Sequence, residues 1–198
     1  MHIRHLTFGL TLLVITSFVG SAAAKTRPYK CTGSGTFADG VETHINTDGD
    51  KVSAGLDQGL QNCNIGRLFF QEEAEYAGPF APTTCPQGTT EFRLVQQHGV
   101  NIDEKTSDQL FEASDADAIT LCVNPDGTFS VTGHTTFTGG TGHFTGASGA
   151  FDFQSTGKYL AFGFNGTPSV FGGFGQAIFT SVGTITLPKG GGDGQGGD

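Results

Sequence analysis

Glu72 and His98 are the residues of this chain with the best claim to chemistry. In the run 65–76 one alternating face carries Leu68, Phe70, Glu72, Ala74 and Tyr76, and the other carries Arg67, Phe69, Gln71, Glu73 and Glu75. The first face reads as inward, which sets Glu72 among apolar neighbours. Burial disfavours the ionised carboxyl, so Glu72 is expected to keep its proton to higher pH, the state wanted in a general acid or in a donor to a ligand carbonyl. In 89–98 the matching face holds Phe92, Leu94, Gln96 and His98, so His98 is expected in the same space. A carboxyl and an imidazole so placed could move a proton in an isomerisation or cyclisation, with Glu72 as acid and His98 as base. Alternation breaks down near strand ends, where both side chains would simply reach solvent or bond loop backbone.

Other chemistries find less support. His44, His134 and His143 lack the H-x-H or H-x-x-x-H spacing of a metal site, so no metal is expected. His134 shares a face with Thr132 and Thr136 and reads as exposed, as does His143. The stretch Asn46–Asp50 resembles a calcium loop but has His44 in place of its first acidic ligand and Gly55 in place of its last, so it reads as a plain turn. No G-x-S-x-G elbow is present, and no cofactor is implied. Ten basic against 19 acidic residues, a formal charge of −9, argue against nucleic acid, which needs a dense basic patch.

The elements that must hold Glu72 and His98 are strands. Period-two alternation recurs from 29 to 187, with candidate strands at 29–37, 41–47, 65–76, 89–98, 107–115, 117–123, 128–138, 150–164 and 174–187. Asp48-Gly49, Pro86-Gln87-Gly88, Asn124-Pro125-Asp126-Gly127 and Gly139–Gly142 mark turns, the third being the strongest hairpin signal. Short strands in this number suggest an all-β barrel or sandwich of one domain, residues 25–187. In a barrel, Phe70, Tyr76, Phe92 and Phe162 are the candidate walls of a ligand cavity. The chain has 18 Phe and 32 Gly, and Phe162, Phe164, Phe171, Phe174 and Phe179 are interleaved with glycines. Such rings can line an apolar pocket, or fill the volume that glycines leave; the large/small alternation suits packing better.

Residues 1–24 read as a secretory signal: Arg4, an apolar run over 6–19 that is too short to span a bilayer, and Ala22-Ala23-Ala24 as a cleavage site. No second long apolar segment follows, so no membrane span is expected in the mature chain. In an exported chain Cys31, Cys63, Cys85 and Cys122 favour two disulfides, with three pairings open. Residues 188–198, rich in Gly and Asp, are expected to be a disordered tail. Asn165-Gly166-Thr167 is a formal glycosylation sequon weakened by Pro168.

The most specific segment is Thr138–Gly149, a β-strand running into glycines. Gly139, Gly140 and Gly142 permit tight bends, Phe144 plugs the turn, and Ala147 and Gly149 let backbones approach. This pattern, G-G-T-G-x-F-x-x-A-x-G, resembles the signature of the allene oxide cyclase and dirigent families. The resemblance implies a small antiparallel eight-stranded β-barrel, stabilised here by disulfides, and a homo-oligomer. It covers about 12 residues closely, with looser likeness over 65–187, and carries no catalytic acid onto this chain. The expected role is a secreted or periplasmic protein binding a small apolar ligand or a surface partner. The alternatives are a lumen isomerase or cyclase, and a structural envelope or matrix protein.

Overall fold

The computed structural model describes residues 24–162 and 173–188. The expected signal segment, Phe164, Phe171, the sequon and the tail from 189 onward lie outside them. The strands are β1 (Lys25–Ile45), β2 (Lys51–Cys63), β3 (Gly66–Phe80), β4 (Thr90–Asp103), β5 (Gln109–Ser114), β6 (Ile119–Val123), β7 (Thr128–Gly140), β8 (Ser148–Phe162) and β9 (Gly173–Leu187). Each pairs antiparallel with its neighbours, and β1 returns to β9 to close the sheet. Strands β5 and β6 both bridge β4 and β7, so they form one interrupted stave. The result is a closed antiparallel barrel of eight staves. No helix among the described residues is long and apolar enough to cross a membrane.

Two strand assignments change. The candidate strands 29–37 and 41–47 are one long β1, bent by irregular pairing between Asp39 and His44. Strand β2 is absent from the sequence reading because its polarity is inverted. Asp57 and Gln61 face the lumen, and Leu56 and Leu60 face outward.

The Thr138–Gly149 corner closes one end of the barrel. Gly139 and Gly142 adopt positive φ (138° and 52°), which an L side chain resists, and the chain then makes a 3₁₀ turn at Gly142–Phe144. Phe144 is fully buried against a cluster that includes Tyr29, Leu68, Leu110, Phe137 and Ile185. His143 is not exposed as expected: its side chain is only 20% accessible. The corner folds it onto the 104–108 turn, where Nδ1 lies 2.5 Å from Asp108 Oδ2 and the ring stacks 3.8 Å from Phe144. The His143 backbone N–H, 3.1 Å from Asp108 Oδ2, and then the His143 ring hold the Asp108 carboxyl below its ordinary range. His134, by contrast, is exposed and pairs with Asp152.

The open pairing question resolves as Cys31–Cys63 and Cys85–Cys122. The first joins directly opposed residues of β1 and β2 at the corner end. The second ties the 81–89 loop to β6 at the other end. Beneath that loop the Glu91 carboxylate is fully buried and accepts hydrogen bonds from the backbone N–H groups of Thr83, Thr84 and Cys85 at 2.7, 2.9 and 3.2 Å. Arg93 Nε adds a charge-assisted bond at 2.9 Å. The backbone donors, ahead of all else, hold the Glu91 carboxyl far below its usual range. Glu91→Ala would take the carboxylate from three backbone donors, the bond to Cys85 buried and those to Thr83 and Thr84 partly so, and would leave the Arg93 charge without its partner, so the unfolding free energy at pH 7 should fall by on the order of 3 kcal/mol. Urea denaturation of the oxidised protein measures it; a loss under ~1 kcal/mol would mean that water replaces the carboxylate.

Candidate functional site

The lumen between the two ends is not filled. Five of its rings rest on residues without a side chain. Phe179 covers Gly33, Phe70 covers Gly35 and Gly59, Phe129 covers Gly157, Phe37 covers Gly175 and Phe153 covers Gly133. A Cβ on Gly35 would stand 2.8 Å from Phe70 Cζ, so glycine is required there. Phe and Gly thus pair in volume, as packing predicts, and that same pairing leaves a central cavity of about 110 Å³.

The cavity has two unlike sides. Most of the rings come from β7, β8 and β9, joined by Phe37 of β1 and by Phe70 and Tyr76 of β3. Acids and amides dominate β2 to β5: Asp57, Gln61, Glu72, Gln97 and Glu112, with Asp39 of β1 beside them. No Lys, Arg or His lines the cavity among the described residues.

Glu72 and Glu112 form a carboxyl pair that shares a hydrogen bond, which requires a proton on one of them. The room for it comes from Gly99, between them on β4, where a Cβ would stand 2.8 Å from Glu112 Oε1 and 3.0 Å from Glu72 Cγ. Desolvation, and then the charge of Glu112, raises the Glu72 carboxyl well above its ordinary range; Glu112 is raised too, by desolvation. Asn101 Nδ2 donates to Glu112 Oε2 at 2.7 Å, and Gln61 Nε2 donates to Asn101 Oδ1. Ser114 Oγ donates to Gln97 Oε1 at 2.8 Å. The pair is therefore held by a buried polar chain from three strands.

Toward the other end, Tyr159 OH donates to Asp39 Oδ2 at 2.5 Å, and desolvation pushes the Asp39 carboxyl up to about 6. Asp57 and the Tyr76 hydroxyl face the same space, enclosed by the barrel yet touching the cavity. Neither has a hydrogen-bond partner among the described residues. Desolvation, then the charges of Glu72 and Asp39, raises Asp57. Desolvation, then the charges of Asp57, Asp39 and Glu72, raises Tyr76.

Of the sequence candidates, Glu72, Phe70 and Tyr76 line this cavity. His98 does not. Tyr76 pairs with Leu94 and Glu75 with Gln96, so Val95 is an extra residue that bulges β4 and reverses its alternation. Gln97 points inward in its place and His98 is exposed. The acid–base pair of Glu72 and His98 is thereby overturned. Phe92 packs with Leu121, Val123, Phe129 and Tyr159 in an apolar cluster and does not border the cavity. Phe162 ends β8, and its side chain lies outside the described ones. Asp39, Asp57 and Glu112 were not singled out from the sequence. Among the described residues no three His, Cys, Asp or Glu side chains are grouped to hold a metal ion.

Comparison with family models, with curated proteins and with solved structures gives no match for this chain.

Proposed function

We propose that the barrel is a binding protein whose lumen holds one small, largely apolar molecule. The observation that carries this is the 110 Å³ cavity, walled by rings on one side and by converging polar groups on the other. Sites for small molecules combine a mainly apolar wall with a few placed polar groups. An apolar cavity of ~150 Å³ takes up benzene, so a single-ring ligand is the right scale. The two disulfides support an oxidising compartment, outside the cell or in a periplasm. The corner motif's likeness to allene oxide cyclases and dirigent proteins supports the same kind of barrel, and with it self-association. Leu160 of β8 and Phe174, Ile178 and Val182 of β9 are exposed on neighbouring staves, with Leu56 and Leu60 of β2 exposed on the far side of β1, a surface suited to it.

Ligand-observed NMR with toluene tests the binding reading. Toluene should bind the oxidised protein, and Ala177→Phe, which fills the lumen, should abolish binding. Ile178→Ala, on the outer face of the same strand, should leave it intact. Equal binding by all three proteins would place the toluene outside the barrel.

A second reading rests on the Glu72–Glu112 pair. A carboxyl that keeps its proton beside one that can accept it is equipped to protonate a bound molecule and take the proton back, as an isomerase or cyclase must. Under that reading Glu72→Gln removes turnover while folding and secretion persist.

A further inference from the structure

We infer that the lumen selects a small organic cation, a primary or substituted ammonium carrying one apolar group, with Asp57 as its counter-charge. This rests on the lumen being a binding site.

Three features of the geometry point the same way. The first is Asp57 itself. It is partly buried in the cavity wall and lacks any hydrogen-bond partner among the described residues. Buried carboxyls are normally bonded, because leaving one unpaired is costly. A donor that enters with the ligand would complete it.

The second is the aromatic frame beside Asp57. Phe37 is its cross-strand partner on β1. Phe37, Phe129 and Tyr159 form a triad with ring centroids 4.8, 5.1 and 5.4 Å apart, and Tyr76, packed against that cluster, adds a fourth ring to the cavity wall. Ring faces attract an ammonium, and desolvation strengthens the attraction.

The third is the one-sided charge. Asp57 is faced by Asp39 from β1, Glu72 and Tyr76 from β3, Glu112 from β5 and Tyr159 from β8. No cationic side chain faces it from any stave among the described residues. An anionic ligand would meet repulsion from every acid; a cation meets only attraction. A neutral apolar ligand would use the rings and leave Asp57 unpaired.

Cation and proton compete for the same carboxyl. Asp57, Asp39 and Glu72 hold protons more firmly than exposed acids do, so an entering ammonium displaces one. Affinity should therefore rise with pH, with a proton released on binding.

Isothermal titration of the oxidised full chain tests this, with benzylamine as the cation and toluene as its neutral counterpart. Benzylamine should bind at least tenfold tighter at pH 8 than at pH 5, with a heat that depends on the buffer's own ionisation. Toluene should bind equally at both. Asp57→Asn should cost benzylamine at least tenfold and leave toluene unchanged, which also establishes that the variant is folded. Toluene binding with benzylamine excluded, or a benzylamine affinity indifferent to pH and to Asp57→Asn, overturns the cation assignment while the lumen remains a binding site. Neither compound binding overturns both.

Discussion

Asp57→Asn should make the barrel more stable at pH 7 and leave its stability at pH 4 nearly unchanged. Burial and like-charged neighbours raise Asp57, Glu72 and Asp39 above their unfolded values. The folded state then binds more protons than the unfolded chain, so stability falls as pH climbs from ~4 through the raised values. Each proton retained in this way costs ~1.4 kcal/mol per pH unit. Asp57 is only partly buried, which lessens the effect, so the gain from Asp57→Asn at pH 7 should be on the order of 1–3 kcal/mol. Glu91 works in the opposite sense. Its lowered carboxyl contributes stability above the unfolded value and loses it as pH falls toward the folded one. The natural protein should therefore be most stable at about pH 4–5, with Glu91 protonation on the acid side and lumen ionisation on the other. Urea denaturation of both proteins from pH 3 to 8 measures the two limbs. Parallel curves would mean that Asp57 is satisfied by a partner in the folded protein. A stability cost retained in an enclosed carboxyl is characteristic of a functional group rather than of a structural one.

Replacing Cys31 and Cys63 together by serine should lower stability by about 4 kcal/mol, and the same change at Cys85 and Cys122 by a similar amount. The sequence separations are 32 and 37 residues, so loop entropy gives the two bonds nearly equal weight. Their local consequences differ. Cys31 and Cys63 already face each other across a continuous ladder, so their loss should leave the barrel ends in place. Cys85 anchors the loop that shelters Glu91, so its loss should also weaken the acid limb of the pH profile. Guanidinium denaturation of both double variants under oxidising conditions supplies the comparison. A loss confined to one bond would show that the other constrains only structure that persists in the unfolded chain.

The barrel was legible in the sequence to the extent that its strands obey apolar-in, polar-out alternation. That holds for β3, where Leu68, Phe70, Glu72, Ala74 and Tyr76 share the inner face as expected. It holds for the β6–β7 hairpin, whose turn residues Asn124–Gly127 lie between Val123 and Thr128. It fails at β2, because a polar lumen inverts the pattern: the strand buries Gln61, turns Asp57 inward and exposes Leu56 and Leu60. The acid wall hid from sequence reading for the same reason, since Asp57 sits on the strand that alternation could not find. His98 illustrates a second limit. One inserted residue, Val95, reverses every later side chain on β4, and no composition or spacing signal marks it. Glu112 was placed on a correctly expected strand, yet only the register of β3, β4 and β5, with Glu72 and Glu112 both opposite Gly99, brings it against Glu72.

Native mass spectrometry of the oxidised protein, purified from the organism that makes it, tests the open lumen most directly. A retained small-molecule adduct of basic character is predicted, absent from the Ala177→Phe variant and shed by the natural protein on acidification. A bare oxidised mass that takes up neither added toluene nor added benzylamine would contradict the account and leave the barrel a structural protein with a closed interior.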